Sequence, residues 1–309
     1  MSEQQKNFPE FYVTAPQSCP YLPGRHERKL FTHLTHDKPR GMIDNLLKGG
    51  FRRSQNIAYM PYCDACSACV PVRILVDAFE PKRSLKRIAR INSDLVATRM
   101  QPAPSSEQYA LFRDYIDVRH ADGGMAEMSV LDYSLMVEDS VVETFVTEYR
   151  IKPDPHGDGS SPLIAVSLCD RLSDGISMVY SFYDPNQRQR SLGTYMILDH
   201  VAYARTLGRP FVYLGYWIEG ARKMRYKNRF MPQERLTSKG WVRFDDSALV
   251  LNTRTTNALD FALLIQDLVP LLDAYEHACR DGDRKTRLAL ADVICQGVSP
   301  DPELFLNRV

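Results

Sequence analysis

Short apolar runs separated by turn residues dominate the middle of the chain, and their spacing sorts strands from helices. Leu163–Leu172 and Ile176–Phe182 are two such runs joined by Ser173-Asp-Gly175, which predicts a β-hairpin. A polar loop follows Pro185, and from Leu192 to Gly208 the residues Met196, Ile197, Val201 and Ala204 fall on one helical face that Gly208 terminates. Pro210–Ile218 then reads as another strand. Upstream, Pro102–Ser106 is a turn that caps a helix from about Glu107 to Arg119, with Tyr109, Leu111, Phe112, Tyr115 and Ile116 on one side. Val70–Phe79 and Asp94–Arg99 predict strands, Pro81–Arg90 opens a basic helix, and Ser134–Glu138 belongs to a short helix. Phe145–Arg150 is either a strand or the end of that helical region. Residues 1–80 read as loop-rich, with strand-like pieces at Phe11–Val13 and Asn56–Met60. Beyond Asn252 the stripe Leu259, Ala262, Leu263, Ile265, Leu268 and Leu271 predicts helix, as does the stretch near Arg284–Cys295. The order predicts an α+β (α/β) fold with a mixed sheet, divided as an N-terminal cysteine-motif domain (1–92), a second domain (93–250) and a helical C-terminal extension (251–309).

Composition narrows the class. The 309 residues carry 25% charged and 44% hydrophobic side chains with a formal net charge of +1, so nucleic-acid contact has to come from local patches, and no DNA partner is expected. Lys82, Arg83, Lys86, Arg87 and Arg90 form such a patch, suited either to a phosphate backbone or to a solvated helix face. The N-terminus has no apolar signal core, and Phe261–Leu272 is broken by Asp267 and Pro270, so no membrane association and a cytoplasmic location are expected. Seven cysteines, an odd number, argue against a disulfide scaffold. Cys63-x-x-Cys66-x-x-Cys69, with Cys19 as a fourth sulfur, can grip zinc or an iron–sulfur cluster, or can be packed reduced thiols.

Strand, basic turn, helix, strand over 176–218 is a recipe for holding a phosphorylated group. Backbone N–H groups and the helix N-terminus supply partial positive charge, and Arg188 and Arg190 add full charge. The spacing Arg188-x-x-x-x-Gly193 resembles the pyrophosphate turn of the Gcn5-type (GNAT) acyltransferases, although an ordinary strand-to-helix loop gives similar letters.

Several motifs in order across roughly residues 10–240 resemble the arginyl/leucyl-tRNA–protein transferase family, most closely its bacterial branch, the aspartate/glutamate leucyltransferases. They are Cys19-Pro-Tyr-Leu-Pro-Gly-Arg25, Phe51-Arg-Arg-Ser54, Tyr62-Cys-Asp-Ala-Cys-Ser-Ala-Cys-Val-Pro-Val-Arg73, Ser84-Leu-Lys-Arg87, Tyr180-Ser-Phe-Tyr-Asp-Pro185, Ser191-Leu-Gly193, Tyr213–Ile218 and Lys223-Met-Arg-Tyr-Lys227. The resemblance implies a cysteine-bearing N-terminal domain joined to a GNAT-like domain that uses leucyl-tRNA in place of acetyl-CoA. It implies transfer of the amino acid to proteins with N-terminal Asp or Glu, marking them for degradation as N-degrons. One position departs from the arginyl branch, whose second early cysteine falls here at about Leu22.

Aminolysis of an ester needs a neutral amine, a place for the oxyanion and a proton for the departing ribose oxygen, with no cofactor required. Asp184 is the candidate to orient or deprotonate the amine, or alternatively to cap its own turn, and Tyr180 or Tyr183 is expected to line the cleft. N–H groups near Gly215 and Tyr216 are candidates for the oxyanion, and Tyr216 and Trp217 for stacking on the terminal adenine. Arg188, Arg190, Lys223, Arg225, Lys227, Arg229 and Arg87 are assigned to tRNA phosphates, and Arg73 and Arg25 to the acceptor carboxylate. His26 and His120 are alternative proton carriers or structural histidines. An arginyl donor, an acetyl-CoA-dependent enzyme and a non-catalytic tRNA-binding or metal-sensing module are the competing functions.

Overall fold

The computed structural model describes residues 10–36, 40–64, 66–121, 123–154 and 159–245; the helical extension expected over 251–309 lies outside them. In chain order, β1 (Tyr12–Val13), β2 (Gln17–Ser18), β3 (His26–Glu27), β4 (Lys29–His33), α1 (Arg40–Lys48), β5 (Arg52–Ser54) and β6 (Ile57–Pro61) build the N-terminal layer. β7 (Cys69–Leu75), α2 (Arg83–Ile91), β8 (Leu95–Met100), α3 (Ser106–Arg119), α4 (Val130–Glu138), β9 (Thr144–Ile151), β10 (Leu163–Arg171) and β11 (Gly175–Tyr183) follow. α5 (Leu192–Thr206), β12 (Phe211–Ile218), β13 (Gln233–Thr237) and β14 (Gly240–Phe244) complete the described chain.

A four-stranded sheet has the order β1-β4-β6-β5, and an eight-stranded mixed sheet has the order β14-β13-β7-β12-β11-β10-β9-β8. Within the large sheet β11 and β12 are parallel, while its other neighbouring strands run antiparallel. A parallel pair needs a crossover, and α5 provides it. Helices cover both faces. Leu85 and Ile88 of α2 and Met196, Ile197 and Val201 of α5 pack on Val72, Ile74, Ile164 and Val212, while α3 and α4 bury Phe112, Ile116, Tyr133 and Val137 against Val146, Val166, Leu168 and Phe182. Cover on both sides explains why 163–170 is buried without alternation, its polar members Ser167 and Asp170 included.

Ser105 caps α3 by accepting the Gln108 N–H at 3.2 Å, as its turn predicts, and 144–151 is a strand rather than the end of a helix. The strand expected over 70–79 ends at Leu75.

Residue 92 is not a boundary between two sheets. β7 lies inside the large sheet between β13 and β12, and α2 packs on α5, so residues 69–91 belong to the larger layer. The cysteine motif therefore leads from the smaller sheet into the larger one, with Cys69 opening a central strand.

A buried ion pair fastens the N-terminal layer to the large sheet. Arg53 of β5 grips Asp170 of β10 with both arms at 2.7 Å, and Thr144 donates to the same carboxylate at 2.8 Å. Their side chains are 1% and 0% exposed. Removing one partner strands the other charge in the interior, so Asp170→Asn is expected to lower the unfolding free energy by about 3–5 kcal/mol in a denaturant titration. The double change Arg53→Met with Asp170→Leu should cost clearly less, and a single-variant loss below about 1 kcal/mol would contradict this reading.

Candidate active site

The parallel pair is short. β11 and β12 match only over Gly175–Ser177 with Phe211–Tyr213, after which they part. The cause lies in β12, whose register with β7 slips between Tyr213 and Gly215, where Gly215 takes a φ of +74°. The inner edges of the two strands are then left with backbone groups that no ladder satisfies.

Two cations fill these edges. Arg52 of β5 reaches in to donate to the Met178 and Val179 carbonyls of β11 and, at 3.4 Å, to the Ser177 hydroxyl. It lies flat against Gly215, where an added Cβ would come within 2.9 Å of the guanidinium carbon. From the 3₁₀ segment Arg222–Arg229, Lys227 donates to the Tyr216 carbonyl on the β12 edge and is 4% exposed. Burial first, then the nearby Arg52 charge, pushes Lys227 down to about 7, and Cys69 opposes the shift.

The mouth of the gap is aromatic and basic. Tyr183 ends β11 beside Gly193, whose missing side chain leaves room for the ring, and the Tyr115 ring lies 5.0 Å away. Arg119 donates to the Tyr183 hydroxyl at 3.4 Å, and His120 sits 5.6 Å from Tyr115. Tyr226 comes within electrostatic reach of both Tyr183 and Arg52. Burial, then the Lys223 and Arg119 charges, lowers the His120 pKa, so its imidazole is neutral at pH 7 and can accept a proton. Stacking rings, cations and a neutral imidazole at the open end of a strand gap suit a nucleotide-borne ester.

The family model for the N terminus of arginine-tRNA-protein transferases matches residues 17–87, and that for their C terminus matches residues 107–237. An aspartate/glutamate leucyltransferase of a Bradyrhizobium species is 57% identical over 80% of this chain and 96% of its own length. One from Xanthobacter autotrophicus is 58% identical over 79% of this chain and all of its own. The chain belongs to the arginine-tRNA–protein transferase family. It is an aminoacyl-tRNA–protein transferase, with an aminoacyl-tRNA and a protein as substrates. Among solved structures, a superposition on FemX spans 68% of this chain and 69% of that one at 9% identity with a TM-score of 0.43.

Within this transferase, the expected site residues divide sharply. Tyr183 stands at the mouth; Tyr180, on the same strand, packs on Phe112, and burial pushes its hydroxyl up to about 12. Asp184 caps its own turn by accepting the Asn186 N–H at 2.8 Å, which is the alternative role. Arg188, Lys223, Arg225 and Arg87 are exposed, as phosphate contacts require. Arg190 is not free for phosphate: both its arms hold Asp94 at 2.8 Å. Arg229 is half-buried, with one arm 3.4 Å from the Ser84 hydroxyl, and Lys227 points inward.

The expected adenine stack on Tyr216 and Trp217 does not form here. Tyr216 is buried and donates to the Gly50 and Tyr59 carbonyls, while the Trp217 ring is covered by the Arg235 guanidinium at 3.9 Å. Arg73, assigned to the acceptor, is bound to Glu234 at 2.6 Å and lies over the Phe211 and Trp241 rings, so its fork is occupied. Arg25 is exposed on the hairpin turn between β2 and β3, with no part in the gap. Arg52, Tyr115, Arg119 and Tyr226 were missed as site residues, although Arg52 lies in the Phe51-Arg-Arg-Ser54 motif.

The four motif sulfurs lie within electrostatic reach of one another. Burial, then Cys63, Cys66 and Cys19 nearby, pushes the Cys69 thiol up to about 12. The Cys19 sulfur accepts the Leu22 N–H at 3.4 Å. Among the described residues, no three His, Cys, Asp or Glu side chains gather so as to hold a metal ion.

Lys227 yields a direct check. Side-chain NMR of the folded protein should show it titrating near pH 7, and a midpoint close to 10 would contradict the burial reading. Because the unfolded lysine keeps its proton to about 10, this group makes the fold more stable as pH rises from about 7 toward 10.

Proposed function

We propose that this chain transfers leucine from leucyl-tRNA to the N-terminal Asp or Glu of proteins, in the cytoplasm, and so marks them for degradation. The observation that carries the reading is the 57% identity to an aspartate/glutamate leucyltransferase across 96% of that relative's length. No described helix is long and apolar enough to cross a membrane.

In the proposed step the acceptor's neutral α-amine attacks the ester carbonyl carbon. A C–N amide bond forms, the C–O bond to the ribose breaks, and the amine's proton passes to the departing ribose oxygen. Positioning supplies most of the acceleration, because the ester is already activated. Tyr183, Tyr115 and Tyr226 hold the terminal nucleoside at the mouth, and the exposed Arg188, Lys223 and Arg225 meet backbone phosphates. His120 takes the amine proton and returns it to the leaving oxygen.

A second reading, arginine as the donated group, is favoured by the description of the matching family models. Purified protein should transfer labelled leucine from leucyl-tRNA to peptides beginning with Asp and Glu, and not to those beginning with Lys. His120→Gln should lower kcat about tenfold or more. Arginine transfer in place of leucine would keep the mechanism and change the donor, whereas transfer from neither would refute the proposal.

A further inference from the structure

Four guanidinium groups in the interior face a carboxylate: Arg53 holds Asp170, Arg73 holds Glu234, Arg99 holds Asp199 and Arg190 holds Asp94. Arg205 and Arg235 instead meet neutral oxygens, and so do the two cations of the strand gap, which are set apart by facing each other across one gap. Arg52 is bonded to carbonyl and hydroxyl oxygens on the β11 edge, Lys227 is bonded to a carbonyl on the β12 edge, and among the described residues neither forms an ion pair with a carboxylate. Two positive charges on opposite edges of one gap, each met only by neutral acceptors, are costly unless an anion joins them.

We infer that Arg52 and Lys227 form the seat for the acidic side chain of the acceptor's first residue, with Gly215 leaving room for the Arg52 guanidinium between β11 and β12. This rests on the proposed transfer to N-terminal Asp and Glu and names the residues that select them. Donors remain for such a ligand, since a guanidinium carries five N–H bonds and an ammonium three, of which Lys227 spends one on Tyr216. A carboxylate on one or two methylenes is a compact match for two buried donors, whereas a polynucleotide backbone is better met by the exposed cations of the rim. With the carboxylate in the gap, the α-amine is left at the mouth, where Tyr183 and His120 stand. Burial and Arg52 hold Lys227 down to about 7, so a carboxylate that restores its charge gains a strong partner, while the amide of Asn or Gln leaves both cations without one.

The test compares kcat/KM for two peptides that differ only in a first residue of Asp or Asn, at fixed leucyl-tRNA. Arg52→Gln and Lys227→Met should each reduce the Asp-over-Asn preference tenfold or more. An equal fall for both peptides would overturn the assignment, because it would place these residues in folding or donor binding. A second measurement does not depend on how the variants fold. In wild-type protein the Arg52 guanidinium NMR resonance should shift on saturation with the Asp peptide and stay in place with the Asn peptide; an unmoved resonance with the Asp peptide overturns the assignment. Wild-type protein that transfers leucine to neither peptide would refute the functional reading, and the resonance would still decide the seat.

Discussion

Two parallel strands that stop pairing after three residues create the problem that the rest of this structure answers. Past Ser177 and Tyr213, β11 and β12 present unpaired backbone groups to each other within a buried sheet, and such groups must find partners. One partner comes from far away in sequence, Arg52 of the N-terminal layer, and the other, Lys227, from the segment just after β12. Unpaired polar backbone and two buried cations drawn to it follow from that one break in the ladder. A continuous sheet at this point would have no cleft.

The same constraint explains why the N-terminal layer is not an independent module. β5 contributes Arg52 to the gap and, one residue later, Arg53 to the buried pair with Asp170. Asp44 of α1 accepts the Ser173 N–H at 2.9 Å in the hairpin that leads into β11. The matches to the two family models end at 87 and resume at 107, close to the expected division at 92, yet β7 and α2 already belong to the large sheet and its covering helices. Sequence families and packed layers need not divide at the same place.

Local pattern made much of the fold legible. The hairpin 163–183, the capped helix 106–119 and the helix 192–206 announce themselves through turn residues and apolar spacing. β13 carried no such signal, because Gln233–Thr237 holds one apolar residue, Leu236, and β14 is a short, largely exposed edge strand. The site was harder to see. In the basic run Lys223–Arg229 the 3₁₀ winding turns Lys223 and Arg225 outward and Lys227 inward, a difference that charge density does not reveal. Arg73 and Arg190 looked available because their partners, Glu234 and Asp94, lie 161 and 96 residues away along the chain. Tyr216 and Trp217 looked like stacking platforms because a sequence shows that a ring is present but not what already covers it.

The central claim is that the chemistry takes place at the mouth where β11 and β12 part. A crystal structure of the chain with adenosine carrying leucine through a non-hydrolysable 3′-amide would test it most directly. The account predicts the adenine against Tyr115, Tyr183 or Tyr226, and the leucyl carbonyl at the open end of the gap that Arg52 and Lys227 line. An adenosine bound on the far side of the sheet, or on the cysteine motif, with the mouth left empty, would contradict it.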